Sequence, residues 1–120
     1  MRTENIIQEK SYAFAVRIVK LSQYFSKDKK EYVLSRQLLK SGTSVGANVE
    51  EGIGGQSKSD FVSKMSIAYK EVRETSYWLR LMRDTGYLSK PEFDDIYTDA
   101  DELCRIVSKI LTSSKTSPNE

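Results

Sequence analysis

The sequence predicts an all-α protein, folded as an up-down-up-down antiparallel four-helix bundle. Apolar residues recur at alternating steps of three and four in four separate stretches, which is the spacing of one face of an α-helix. Only two of the 120 residues are proline, and no stretch alternates apolar and polar residues as a strand would. The connections between the four stretches are short, so consecutive helices are expected to run antiparallel.

The first predicted helix covers about residues 4–25. Its core-facing stripe consists of Ile7, Ser11, Phe14, Ile18, Leu21 and Phe25. The charged segment 27–31 interrupts this pattern. There we expect Asp28 to be the N-cap of the second helix, with Glu31 three residues later completing a capping arrangement.

The second predicted helix runs to about Ile53, where two glycines end it. Its stripe consists of Leu34, Leu38, Ser41, Val45, Asn48 and Gly52. Small residues fill most of segment 40–52. A glycine inside a helix costs roughly 1 kcal/mol relative to alanine, so Gly42 and Gly46 indicate that a neighbouring helix approaches closely. The residues predicted to make this close contact are Ser41, Gly42, Gly46, Ala47 and Asn48.

The third predicted helix has the most regular stripe in the chain. Ser57 and Asp60 have the spacing of a capping pair at its start, and Gly86 marks its end. The stripe consists of Phe61, Met65, Ala68, Val72, Thr75, Leu79 and Met82.

The fourth predicted helix starts at a capping box formed by Ser89 and Glu92, with a proline in its first turn. Its stripe consists of Phe93, Ile96, Ala100, Leu103, Val107 and Ile110. No linker separates the four helices. We therefore expect one domain over residues 1–112, followed by a flexible C-terminal tail over residues 113–120.

The chain contains no histidine, which removes several classes of catalytic site. Ser-His-Asp and Cys-His catalysis, ordinary zinc sites and the Glu-x-x-His di-iron sites of ferritin-like bundles all require an imidazole. The single cysteine, Cys104, lies on an apolar helical face and is expected to be a packing residue. We therefore expect a protein that is not an enzyme and that uses no metal or cofactor.

Four carboxylates lie near the apolar stripes: Glu50, Glu51, Glu71 and Glu74. Acid-base catalysis would require a pocket and shifted pKa values around them, and the sequence indicates neither. A structural role is the expectation for this group, either in a pair with an arginine or in a hydrogen bond to Asn48 or Ser41.

No apolar run approaches the roughly 20 residues that a membrane-spanning helix needs. The N-terminal segment also lacks the apolar core of a signal peptide. We expect a cytoplasmic protein with no membrane partner.

Two predicted helices carry more apolar surface than one core requires. The first helix has a second stripe of Tyr12, Val16, Val19 and Gln23. The third has two further flanks, one with Ile67, Glu71, Glu74, Trp78 and Leu81, the other with Tyr69, Arg73, Tyr77 and Arg80. This surface is either a wide apolar face that wraps the bundle or a subunit interface, where Trp, Tyr and Arg are enriched. The candidate interface residues are Tyr12, Val16, Val19, Tyr69, Tyr77 and Trp78.

Charge is unevenly distributed along the chain, although the net charge is only +2. Residues 1–30 hold seven basic and three acidic side chains, whereas residues 91–120 hold three basic and seven acidic ones. Basic residues beside tyrosines suit contact with phosphates and bases, but charged helix flanks are also commonly just solvated. The candidate nucleic-acid contacts are Lys10, Arg17, Lys20, Lys27, Arg73 and Arg80.

Several ordered motifs together resemble a known family. They are the segment 37–52 (QLLKSGTSVGANVEEG), Ser57-x-x-Asp-Phe61, Met65-Ser-Ile-Ala68, Glu71-x-x-Glu74, Tyr77-Trp-Leu79 and Gly86-Tyr-Leu88. The chain resembles, over about residues 14–111, the bacterial four-helix bundle proteins first noticed in intervening sequences of 23S rRNA genes. The accessory protein of diversity-generating retroelements is related to this family.

This resemblance implies a ring-shaped homopentamer first and a nucleic-acid partner second. The retroelement accessory protein assists a reverse transcriptase, so a reverse transcriptase is a further partner that the resemblance implies. The leading hypothesis is a non-enzymatic homo-oligomer, with five subunits by the resemblance, that binds RNA or DNA through basic surface. The alternative hypothesis is a protein-only interaction or assembly module without nucleic-acid binding.

Overall fold

The computed structural model describes the backbone of residues 2–115 and the side chains of residues 5–114. It contains four α-helices: α1 spans Arg2–Lys27, α2 spans Val33–Ile53, α3 spans Lys58–Asp84 and α4 spans Lys90–Lys115. This part of the chain contains no strand. The prediction of an all-α four-helix bundle is therefore confirmed.

Each helix packs against the next one along the chain, and α4 returns to pack on α1. The α1–α4 contact is the sparsest of the four, and within the described residues no Cα atoms of the diagonal pairs, α1 with α3 and α2 with α4, lie within 8 Å of each other. The helices alternate in direction: Gly42 and Gly46 of α2 approach Ile18 and Ser11 of α1 in reversed order. The result is a rod of 50 × 22 × 20 Å.

The predicted stripes form the core of this rod. Their apolar members are buried, except for Leu21, Leu34 and Phe61, which pack partly buried against the core. Fully burying one large apolar side chain stabilises a fold by about 1.5–3 kcal/mol. The stripes therefore supply the main driving force for packing the four helices together.

The start of α2 differs from the prediction. Asp28 is not its N-cap, because the Asp28 amide donates to the carbonyl of Tyr24 and so continues the last turn of α1. Lys30 then reverses the chain with a φ of 57°. The carboxylate of Glu31 caps α2, accepting hydrogen bonds from the amides of residues 33, 34 and 35 at 3.2, 3.0 and 2.8 Å. One side chain thus satisfies three amides that the helix leaves without partners.

The caps predicted for α3 and α4 are present. The amide of Asp60 donates to the Ser57 hydroxyl at 3.0 Å. At α4 the amide of Ser89 donates to the Glu92 carboxylate at 2.9 Å, and the amide of Glu92 donates to the Ser89 hydroxyl at 3.3 Å. This reciprocal pair is a capping box. Gly86 follows α3 with a φ of 88°, a conformation that a residue with a Cβ rarely adopts.

The end of α4 lies beyond the predicted boundary. The predicted tail starts at residue 113, but α4 continues to Lys115. The half-buried Ser114 still lines a groove with Phe61, near the start of α3. The remainder of the predicted tail, residues 116–120, lies outside the described residues.

The small residues of α2 lie on two distinct faces of the helix. A Cβ added to Gly42 would lie 2.7 Å from Cγ2 of Ile18, and one added to Gly46 would lie 3.3 Å from the carbonyl oxygen of Ser11. At these two positions α2 has no room for a side chain against α1. Ala47, included in the predicted contact, is exposed and takes no part in it, because its position points away from both neighbouring helices.

The polar residues of the same tract are paired on the α3 side or within α2. The hydroxyl of Thr75 lies 3.0 Å from that of Ser41 and also donates to the carbonyl of Glu71 at 2.8 Å. Ser41 and Thr75 are both buried, and a buried hydroxyl without a partner is costly, so this pair favours one register between α2 and α3. The half-buried Asn48 donates from its side-chain amide to the carbonyl of Ser44 at 2.8 Å, within its own helix.

Candidate nucleic-acid interface and subunit surface

Two of the six predicted nucleic-acid contacts are held in ion pairs between α1 and α4. Arg17 donates to the carboxylate of Asp95 at 2.7 Å and to that of Asp99. Lys10 pairs with Glu102 at 3.3 Å. A phosphate at either side chain would have to compete with these carboxylates. Lys10 and Arg17 are therefore less available to a phosphate than the other four predicted contacts.

The electrostatics of Arg17 fit this structural role. Partial burial alone would lower the pKa of the guanidinium. The hydrogen bonds and negative charges of Asp99 and Asp95 outweigh that effect, and the pKa is raised. The first thirty residues have an excess of positive charge and the last thirty an excess of negative charge. Part of each excess is cancelled within the subunit, because basic side chains of α1 form ion pairs with acidic side chains of α4.

Lys20 and Lys27 differ from Lys10 and Arg17. Both are exposed, and no hydrogen bond or ion pair engages either of them within the described part of the chain. At 100° per residue, both lie on the α4-facing half of the exposed surface of α1, beside the face that carries Tyr12, Val16 and Val19. They remain available for a negatively charged partner.

Arg73 and Arg80 lie on α3, at the opposite corner of the bundle from α1. They line an open groove of about 360 Å³ between α3 and α4, together with Ser76, Tyr97, Asp101 and Cys104. The six predicted contacts therefore do not form one surface. They divide into an ion-paired set, an exposed pair on α1 and a pair in the α3–α4 groove.

Aromatic rings accompany both arginines of this groove. The guanidinium of Arg73 lies 5.9 Å from the ring centre of Tyr69 and donates to its hydroxyl at 3.4 Å. That hydrogen bond is the leading cause of the raised pKa of Arg73. The guanidinium of Arg80 lies 6.0 Å from the ring centre of Tyr77. No carboxylate within the described residues forms an ion pair with Arg73 or Arg80.

Neither the acidic group nor the thiol of the groove forms an ion pair with its arginines. Asp101 forms an ion pair with Arg105 of its own helix at 3.5 Å. Burial, more than any neighbouring charge, raises the pKa of the Cys104 thiol, which therefore stays protonated at neutral pH. Cys104 is half-buried and packs against the core, in the packing position that its sequence pattern predicts.

Aromatic residues of α4 join this region, and the sequence pattern did not reveal them. The rings of Phe93 and Tyr97 stack with centres 4.6 Å apart, and the guanidinium of Arg83 lies 4.4 Å from the ring centre of Phe93. The periodicity assigns Phe93 to the core stripe alone. The four-residue spacing from Phe93 to Tyr97 is the signal that could have found the pair, because it places both rings on the same side of α4.

The candidate subunit surface also divides into separate places. Tyr12, Val16 and Val19 of α1 are 69%, 40% and 38% exposed and share its outer face. On α3, Tyr77 is half-exposed, whereas Tyr69 is partly buried at the groove. Trp78 is partly buried, and its indole nitrogen donates to Glu74 at 3.0 Å. Because α1 and α3 occupy diagonal corners, the two sets do not form one continuous patch.

Three of the four carboxylates near the apolar stripes, Glu50, Glu51 and Glu74, have partners other than those expected. Glu51 pairs with Lys64 at 2.8 Å, and Glu50 accepts a hydrogen bond from the side chain of Gln8 at 2.9 Å. Burial, and secondarily the charge of Glu74, raises the pKa of Glu71, whereas Lys40 acts in the opposite direction. Neither Asn48 nor Ser41 bonds to any of these carboxylates.

No helix in the described part of the chain is both long and apolar enough to cross a membrane. The same residues contain no group of three or more acidic or cysteine side chains placed to hold a metal ion.

Comparisons with known proteins agree with this fold. The family model for the 23S rRNA-intervening sequence protein matches residues 3–109. A similar solved structure is that of a protein of unknown function from the S23 ribosomal protein family of Bacteroides thetaiotaomicron VPI-5482. It is 41% identical, with a TM-score of 0.90, and the match covers 92% of this chain and 98% of that chain. None of the curated proteins compared matches the chain.

Proposed function

The chain belongs to the 23S rRNA-intervening sequence protein family, and from that premise we propose that it is a non-enzymatic homo-oligomer, a pentamer, that holds RNA or DNA on its basic surface. The family membership agrees with the resemblance of the sequence motifs. The pentameric number rests on that resemblance. Self-association and nucleic-acid contact rest on two separate features of the structure.

The observation that carries the proposal is the apolar outer face of α1. Tyr12, Val16 and Val19 leave apolar surface in water although the core of the bundle is already complete without them. Burying apolar surface against a second copy would be favourable by about 25 cal/mol per Å² before the costs of association. This face therefore favours a subunit interface over a face that merely wraps the bundle.

The nucleic-acid part of the proposal rests on the four predicted contacts that form no ion pair with a carboxylate of the described residues, Lys20, Lys27, Arg73 and Arg80. One subunit has a net charge of only +2, so a single copy would bind weakly. A ring repeats these side chains around one assembly, and the second and later contacts then benefit from a high effective concentration. Avidity thus raises the affinity above what the charge of one chain would give.

Two valine variants test the subunit surface. Val16→Glu places a charge on the outer face of α1, and we expect the assembly to dissociate in gel filtration. Val33→Glu makes the same change at a 67% exposed valine in the first turn of α2, where a negative charge suits the helix dipole. The Val33 variant should keep the wild-type mass. Equal dissociation of both variants, or of neither, would contradict a subunit surface on α1.

The protein-only module remains the second candidate, favoured by the ion pairs that occupy Lys10 and Arg17. Binding to labelled single-stranded RNA, single-stranded DNA and duplex DNA at low salt separates the two candidates. The proposal expects binding that weakens steeply as salt rises. An intact oligomer that binds none of these probes would establish the protein-only module instead.

A further inference from the structure

We propose that the α3–α4 groove is the nucleic-acid site and that it takes single strands, with phosphates on Arg73 and Arg80 and a base against Tyr97. This inference rests on the proposed nucleic-acid function and assigns it to one of the two available basic surfaces. Lys20 and Lys27 on α1 are then secondary contacts.

The first support for this assignment is the repeat of residues along α3. The side chains on its α4-facing flank are Tyr69, Arg73, Ser76, Arg80 and Arg83. They recur at alternating steps of four and three, so they form one continuous stripe, about 21 Å long at 1.5 Å per residue. The stripe combines three arginines with Tyr69, and Tyr97 lines the α4 side of the same groove. Basic side chains next to aromatic rings suit a single strand.

The second support is that Arg73 and Arg80 form no ion pair with a carboxylate of the described residues, whereas Arg83 pairs with Asp84 at 2.7 Å. Arg73 and Arg80 contact tyrosine rings, and the one acid in the groove, Asp101, is paired with Arg105. An arginine held over a ring keeps its charge and most of its donors, so a phosphate can bind without breaking an ion pair. By contrast, phosphate binding at Arg17 would separate it from Asp95 and Asp99.

The third support is the position of the aromatic rings between two helices. In a duplex the bases are stacked inside and the phosphates form the outer surface, so bases cannot reach rings at the side of a groove. A single strand can direct its phosphates to the guanidinium groups and turn its bases outward to stack. Tyr97, partly buried and stacked on Phe93, presents a fixed ring for such a base.

Two double variants with equal reduction of charge test the assignment. Arg73→Gln/Arg80→Gln removes two positive charges from the groove, and Lys20→Gln/Lys27→Gln removes two from α1. The probe is fluorescently labelled oligo(dT) of roughly 12 nucleotides, within the site sizes of single-strand binders. We expect the groove variant to weaken binding at least tenfold. Its plot of log affinity against log salt should also become shallower by roughly 0.7 for each phosphate that the variant no longer binds. The α1 variant should keep the wild-type mass in gel filtration and weaken binding less than threefold.

A third variant separates stacking from charge. Tyr97→Leu keeps an apolar side chain against the core but removes the ring, and it should weaken binding several-fold without changing the salt slope. If this variant fails to fold, as judged by circular dichroism, the arginine pair still decides the assignment, because Arg73 and Arg80 are exposed. Unlabelled duplex of matched sequence should compete poorly with the single strand.

The outcomes distinguish this inference from the function on which it rests. Equal weakening by the two double variants, or greater weakening by the α1 variant, overturns the assignment of the site to the groove. The proposed nucleic-acid function would still hold in that case. Duplex that competes as well as single strand overturns the single-strand preference. Wild-type oligomer that binds no probe overturns the proposed nucleic-acid function itself.

Discussion

At the scale of single residues, Gly42 and Gly46 set the distance between α1 and α2. Gly42 faces the side chain of Ile18, whereas Gly46 faces the main-chain carbonyl of Ser11. A rotamer change can move the Cγ atoms of Ile18, but neither its Cβ, 3.2 Å from a Cβ added at Gly42, nor the Ser11 carbonyl can move without moving α1. Added volume at either glycine therefore separates the two helices, and at Gly46 it meets main chain directly.

We predict that Gly46→Leu destabilises the fold by about 3 kcal/mol or more, the upper range for overpacking a well-packed contact. Its control is Ala47→Leu at the next position, which is exposed and should change the free energy of unfolding by no more than about 0.5 kcal/mol. Urea denaturation of both variants measures the difference. A Gly46 variant as stable as its control would show that this contact is not close.

The pKa shift of Glu71 predicts a dependence of stability on pH. Burial raises this pKa above its ordinary value of 4.5, so the folded state binds the proton more tightly than the unfolded state does. The ionised carboxylate therefore lowers stability above the folded-state pKa, and this cost disappears as pH falls through that value. Glu71→Gln should be slightly more stable than wild type at pH 7, by up to about 0.5 kcal/mol.

Thermal melting at two pH values measures this effect. The advantage of the Glu71→Gln variant should be present at pH 7 and absent below the ordinary pKa of 4.5, where both states of the wild type hold a neutral side chain. Glu50→Gln, at an exposed carboxylate on α2, is the control. A Glu71 variant that is less stable than wild type at neutral pH would show that the attraction of Lys40 exceeds the cost of burial.

At the scale of elements, the helix ends show which caps can be predicted from sequence and which cannot. Capping of α3 and α4 was predictable because Ser57 and Ser89 each begin a local motif that their own helix completes. The cap of α2 was misassigned because Asp28 and Glu31 are both acidic and close together. Only the backbone path, with its reversal at Lys30, decides between them.

We predict that Glu31→Ala destabilises the protein by about 1 kcal/mol, as removal of a helix cap does, since three amides at the start of α2 then lack their acceptor. Asp28→Ala removes the same charge three residues earlier and should change stability by less than about 0.5 kcal/mol. Denaturant midpoints of the two variants decide the assignment. A larger destabilisation by Asp28→Ala would indicate that Asp28, as the sequence pattern predicts, caps α2.

The arrangement of side chains between helices was less predictable than the helices themselves. Periodicity gives the core face of each helix, and the predicted stripes do form the core. Periodicity does not predict which charged flank of one helix contacts which flank of a neighbouring helix. Asp95 and Asp99 lie 78 and 82 positions after Arg17 in the sequence. Arg17 contacts them only because α4 packs against α1 in a register that brings these side chains together. The groove beside Tyr97 depends on the same long-range geometry, between α3 and α4.

At the scale of the whole molecule, the protein is a narrow rod whose faces differ in chemistry. One side carries the apolar outer surface of α1, and the opposite seam, between α3 and α4, carries the free arginines and the aromatic rings. Their separation allows both proposed contacts to be made at once. A subunit that joins its neighbours through α1 leaves the α3–α4 groove open to a strand.

Self-association is the central claim, because avidity from a ring is what makes weak basic contacts sufficient. Light scattering coupled to gel filtration, at micromolar protein concentration, tests it most directly. We predict a single species with a mass near five times that of the 13.7 kDa chain. A single species at the mass of one chain would contradict it.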